Sequence, residues 1–168
     1  NTYGVYAKKG TLNIEGGKYS AETSAVQIAE ATVNISGGEF SNTASDKRYT
    51  INCIDANWKN GTAKVNITGG KYTDFNPANN AAEGAGTNFV ADGYQAAETA
   101  AGVWEVVPEG AHYVANAEQL KDALTQDEEF IIVELSNDVT YDVAAWENDA
   151  MGGASTKTIT INANNNTI

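Results

Sequence analysis

The sequence predicts an all-β protein, a right-handed parallel β-helix (solenoid) in which the end of one coil is followed by the helix-capped start of a second. Three observations carry this. One pattern recurs as TLNIEGGKYS from Thr11, TVNISGGEFS from Thr32 and KVNITGGKYT from Lys64. Within each segment apolar residues alternate with polar ones at period two, and an upstream apolar pair returns at the same interval.

Taken in chain order, Leu12 and Ile14, Val33 and Ile35, and Val65 and Ile67 each face one side of a strand. The pairs Gly16-Gly17, Gly37-Gly38 and Gly69-Gly70 then break the strand and let the chain turn a corner. Tyr19, Phe40 and Tyr72 follow two residues later and are expected to point inward on the next short strand, filling the corner of a shared core. Asn13 and Asn34 stand 21 residues apart, as do the pair Val5 and Ala7 and the pair Val26 and Ile28, which defines one rung. From Asn34 to Asn66 the step is 32, and the extra residues fall in the polar stretches Ser41–Thr50 and Asn57–Thr62, read as protruding loops. A strand around Tyr49–Ile54 is expected to place Ile51 and Cys53 in the core.

A single rung cannot bury its apolar face, so rungs must stack at the roughly 4.8 Å spacing of paired strands. Irregular rung length favours the right-handed form over the left-handed one, whose hexapeptide period is stricter. The alternative, a flat antiparallel β-sandwich of glycine-turned hairpins, leaves the upstream pair unexplained.

After Asn76-Pro77 the repeat fades into Ala78–Thr87, and Val103–Val107 reads as part of a closing rung. Pro108-Glu109-Gly110 marks a junction. Residues 1–108 are therefore expected to be the last rungs and closing segment of one β-helix. Residues 109–168 are expected to be a cap helix and the first rungs of a second, truncated one. In that second unit Asn116 caps a short amphipathic helix with Gln119 at its third position and Ala117, Leu120 and Leu124 on one face. Phe130–Leu135 reads as a buried strand, and Lys157–Ile168 as an alternating one with Ile159 and Ile161 inward.

The order YVANAEQLKDAL, FIIVELSNDVTY, TKTITINANNNTI resembles the start of pectate-lyase-like right-handed β-helices, where a short amphipathic helix caps the open end of the coil. The GG-aromatic repeats and the ending NFVADGY…VWEVVP resemble the C-terminal end of β-helical repeats in surface proteins of gut bacteria and in phage fibres. The resemblance implies a fold more than an activity, because the same coil hosts lyases, adhesins and fibres. Lyases of this class place acidic calcium ligands and a basic catalytic residue on adjacent rungs. The single arginine here, Arg48, lies on a loop read as solvated, and the single histidine, His112, lies at the junction.

Composition bounds the function further. The formal charge is −12, with 8 basic and 11 acidic residues up to Pro108 (net −3) and 2 and 11 after it (net −9), which argues against nucleic acid as a ligand. Cys53 is the only cysteine, so no intrachain disulfide framework exists. No apolar run approaches the ~18 residues of a membrane span, so this segment is not expected to insert in a membrane. No catalytic residue is assigned and no cofactor is expected, although Asp138 and Asp142, in an acidic group reaching Asp149, offer oxygen ligands suited to calcium; a solvated loop is the plainer reading. Trp58, in a loop, is the candidate for a sugar- or protein-contacting ring, with Trp146 undecided. Asn13, Asn34 and Asn66 are read as a structural ladder rather than a ligand-reading one.

The resulting expectation is a non-enzymatic structural or adhesive module of a large extracellular protein on a cell surface or virion. Its partners would be other segments or copies of the same protein, in a homotrimer if it belongs to a fibre, and a glycan or surface protein. The rival classes are a fragment of a carbohydrate-active enzyme, lyase or glycoside hydrolase, and a carbohydrate-binding module.

Overall fold

The computed structural model describes residues 2–124, 130–135, 138–140, 158–163 and 167. The protein is all-β in character, with strands far outnumbering helical residues, and it divides into two compact units, Asn1–Pro108 and Glu109–Ile168.

In the first unit the long strands β1 (Tyr3–Ile14) and β3 (Ser24–Ile35) pair in parallel, with Val5 opposite Val26, Asn13 opposite Asn34 and Ile14 opposite Ile35. The upstream apolar pair and the repeat motif thus lie on one continuous strand. In the third repeat the same line is split into β5 (Ile51–Cys53) and β6 (Lys64–Ile67), both parallel to β3. Ile51 stands opposite Val26, 25 residues on, whereas Asn66 stands opposite Asn34, 32 residues on, so the insertions enter both before β5 and between β5 and β6. The second insertion contains α1 (Asp55–Lys59), a five-residue helix where the sequence suggested an irregular loop over Asn57–Thr62.

Beyond each double glycine, β2 (Lys18–Ala21), β4 (Glu39–Asn42) and β7 (Lys71–Thr73) form a second parallel row, which brings Tyr19 beside Phe40 and Phe40 beside Tyr72. The rings stack with centroids 5.2 and 5.1 Å apart. The glycine pair serves two ends at once. A Cβ on Gly69 would stand 2.2 Å from the Ser36 carbonyl oxygen of the neighbouring repeat, and Gly70 takes a φ of +96° that side chains resist. Val26, Ile28, Val33, Ile35, Phe40, Ile51, Ile67 and Tyr72 are buried in one core, each contributing roughly 1.5–3 kcal/mol of gross burial for a full-sized side chain.

The closing rung expected at Val103–Val107 takes another form. β8 (Tyr94–Ala100) and β9 (Val103–Pro108) are joined through only Ala101 and Gly102, and a two-residue connection links antiparallel neighbours only. β9 pairs antiparallel with β7, placing Trp104 opposite Tyr72, so this sheet is mixed rather than wholly parallel.

In the second unit β10 (Ala111–Val114), β11 (Phe130–Leu135) and β12 (Thr158–Asn162) form a parallel three-stranded sheet. Helix α2 (Ala117–Leu124) starts where the Asn116 side chain accepts from the Gln119 N–H at 3.0 Å, while Gln119 Oε1 accepts from the Ala115 N–H at 2.8 Å. Leu120 and Ala123 pack with Val114, Val133, Leu135 and Val139 in a second, smaller core.

Candidate functional site

The insertion that splits the third repeat also builds a groove of mixed chemistry. The backbone leaves β5 at Cys53 and enters α1 directly, with the Trp58 N–H donating to the Ile54 carbonyl at 2.9 Å. This turn sets Trp58, the candidate contact ring, half-buried and edge-on to Phe89 with centroids 5.2 Å apart, so the indole is partly a core residue.

Opposite α1 runs the Ala78–Thr87 stretch, in which residues Ala81–Glu83 form one turn of 3-10 helix. Asn80 caps that turn through Oδ1, which accepts from the Ala82 N–H at 3.0 Å, and its Nδ2 donates to the Ile51 carbonyl at 3.1 Å. Glu83 Oε1 accepts from the Cys53 N–H at 2.6 Å. Two side chains therefore satisfy backbone groups along the outer edge of β5.

Between the two segments lies a groove of about 240 Å³ lined by Asp55, Trp58, Lys59, Glu83 and the backbone around Ala81–Gly84. Glu83 Oε2 is buried there with no hydrogen-bond partner among the described residues. Burial pushes the Glu83 carboxyl above the usual glutamate range, the Cys53 N–H pulls it back, and the Asp55 charge raises it further. Burial, followed by the nearby Glu83 charge, pushes the Cys53 thiol up to about 12, which keeps it protonated and inert at neutral pH. Asp55 as acceptor, Lys59 as donor and the Trp58 indole thus line one groove.

The other singled-out residues stand elsewhere. Asn34 Nδ2 donates to Asn13 Oδ1 and Asn66 Nδ2 to Asn34 Oδ1, each at 2.9 Å, so the three asparagines bond to one another from strand to strand. Tyr19 and Tyr72 donate their hydroxyls to the Gly16 and Gly69 carbonyls, both at 2.9 Å. Asp46 grips Arg48 through both carboxylate oxygens on an exposed turn, and the guanidinium lies 5.5 Å from the Tyr49 ring centre. Asp138 is exposed, and its Oδ1 accepts from the Thr167 N–H at 2.8 Å. Asp142 and Trp146 lie outside the described residues. Among the described residues no three metal-ligating side chains converge.

Sequence reasoning missed Asn80 and Glu83. The spacing Asn80-x-x-Glu83 is a helix-start signature that marks the turn, but nothing in it says that both side chains reach β5. Compared with protein-family models, curated proteins and solved structures, the chain matches none of them.

Proposed function

We propose that Asn1–Pro108 forms stacked rungs of a right-handed parallel β-helix, and that the chain is a non-enzymatic structural or adhesive module of a cell-surface or virion protein. The second unit, on this reading, opens another coil beneath its cap helix, as in pectate-lyase-like folds. The observation that carries it is the in-register repetition of backbone, asparagine and aromatic ladders at Asn13–Asn34–Asn66 and Tyr19–Phe40–Tyr72. Such ladders make a stiff rod whose rung-to-rung surface is fixed, while insertions such as Thr43–Thr50 and Asp55–Ala63 vary outside it. Right-handed crossover is the default for parallel connections in one sheet.

The test is native mass by light scattering, followed by glycan-array binding and incubation with acidic polysaccharides. A trimer points to a fibre, and a monomer that binds glycans or surface proteins without consuming them points to an adhesin. Depolymerisation of the polysaccharide overturns the non-enzymatic reading.

One observation favours a second reading, a carbohydrate-binding module: the Asp55, Trp58, Lys59 and Glu83 groove. Saturable glycan binding that weakens at least tenfold in Lys59→Ala, with folding unchanged, supports it. Binding indifferent to Lys59→Ala and Asp55→Ala refutes it.

A further inference from the structure

The two edges of the stacked unit are finished differently. On the far side, β5 is covered by Asn80 and Glu83, β6 by a parallel bridge from Ile67 to Val90, and β7 by β9. On the near side, β1 and β2 are the end strands of their sheets, with no strand beyond them among the described residues. A parallel strand sends alternate N–H and C=O groups to either side, so half of those on β1 face away from β3.

Four features of that edge specify what fits it. The first is Gly16. A Cβ on Gly37 would meet the Glu15 carbonyl oxygen at 2.5 Å and one on Gly69 would meet that of Ser36 at 2.2 Å, so those glycines make room for the backbone of the rung before them. Gly16 holds the same place in its rung, has nothing within 4 Å of its Cβ position, and has no left-handed φ, so nothing described requires a glycine there. The second is the asparagine ladder, in which each Nδ2 donates to the rung before; Asn13 Nδ2 has no partner among the described residues. The third is charge. Successive strands put Lys18 opposite Glu39, Glu39 opposite Lys71 and Lys71 opposite Glu105, with ion pairs of 2.9 Å at Lys18–Glu39 and 3.4 Å at Lys71–Glu105. The alternation calls for an acid on the open side of Lys18. The fourth is the core: Val5, Leu12 and Tyr19 are half-buried where their counterparts Val26, Val33 and Phe40 are buried.

We propose that the outer edge of β1 and β2 is a docking surface for one more rung of repeat-bearing polypeptide. This rung runs parallel to β1, with an asparagine opposite Asn13, a backbone carbonyl against Gly16, an acid opposite Lys18 and an aromatic ring on Tyr19. The inference rests on the β-helical reading above and names its partner. A second copy of this chain does not offer such a strand from its own repeats, because β3 and β4 are flanked on both sides and β6 and β7 are covered.

The chain's own Glu22–Asn42 meets the specification, since it carries Asn34, Gly37-Gly38, Glu39 and Phe40. Its 21 residues also equal the step from β1 to β3, so a copy fused ahead of Asn1 lies in register with β1. The fusion and the chain without it are compared by amide hydrogen exchange. The expected result is that the outward β1 amides slow by about 100-fold or more in the fusion. Gly16→Ala, neutral in the chain as it stands, is expected to undo at least about tenfold of that protection in the fusion, as a close backbone approach demands. Unchanged exchange of β1 in a fusion whose β3 amides stay protected overturns the proposal and leaves the β-helical reading intact; unprotected β3 amides in the chain without the fusion overturn the reading itself. A dimer of the unfused chain with protected β1 amides also overturns it, naming a second copy as the occupant. Should the fusion misfold, the Glu22–Asn42 peptide added in trans at millimolar concentration must slow β1 exchange, and failure to do so refutes the proposal.

Discussion

Replacing Gly69 by alanine tests the tightest backbone contact between repeats. The new Cβ would stand 2.2 Å from the Ser36 oxygen and 2.8 Å from its carbonyl carbon, both backbone atoms with no flexible end to give way. Normal contact near 3.4 Å needs a local separation of about 1 Å. Overpacking of this kind costs about 1–3 kcal/mol. The separation also strains the Thr68 N–H to Ile35 and Lys71 N–H to Gly38 bonds, each 2.8 Å, and losing one costs about 1 kcal/mol more. Gly69→Ala should therefore destabilise the first unit by about 3 kcal/mol. Gly16→Ala, with open space and an ordinary backbone, should be neutral or stabilise by up to about 1 kcal/mol by restricting the unfolded chain. Urea unfolding followed by far-UV circular dichroism measures both. A difference of less than about 1 kcal/mol between the two variants refutes the account of the double glycine as a spacer between backbones.

Four more outcomes follow from the same geometry. Phe40→Ala, which empties a buried site between two stacked rings, should cost about 3–5 kcal/mol in the same assay, whereas Phe40→Tyr should stay within about 1.5 kcal/mol. Asn34→Ala removes two ladder bonds and should cost more than Asn66→Ala, which removes one, by about 0.5–1 kcal/mol. Cys53 should resist a disulfide-exchange reagent at pH 8 until urea opens the unit, and should stay unreactive in Glu83→Gln because burial is the larger cause of its raised pKa. The folded Glu83 carboxyl holds its proton more tightly than the unfolded one. Its contribution to stability is therefore full below the ordinary value near 4.5 and is lost as pH rises through the higher folded value; unfolding midpoints measured across that interval should fall in the native chain and flatten in Glu83→Gln.

The parts legible in the sequence are those with a period. Val26 and Ile28 reveal themselves because Val5 and Ala7 precede them by one repeat, and Tyr19, Phe40 and Tyr72 because each follows a glycine pair at fixed distance. Aperiodic parts were opaque for definite reasons. DANWK has no helical stripe of its own, and it forms a helix because β5 must leave the sheet and return at Lys64. The turn at Ala101-Gly102 is short enough to force a hairpin, yet ETAAGVWEVV reads equally well as a closing rung. The partnership of Glu83 with Cys53 spans 30 residues and leaves no local mark. At the candidate groove, Trp58 was visible as an aromatic in a polar stretch, but its neighbour Phe89 was not.

The reversal of β9 against β7 has a consequence for assembly. In a purely parallel stack the upper side of every rung complements the lower side of the next, and contacts of that head-to-tail kind extend without an internal stop. Here β9 runs the other way along β7, and β8 turns back again to lie outermost in the direction of β7. The β8–β9 hairpin thus occupies, from within the chain itself, the edge of β7 that a further parallel strand would otherwise take.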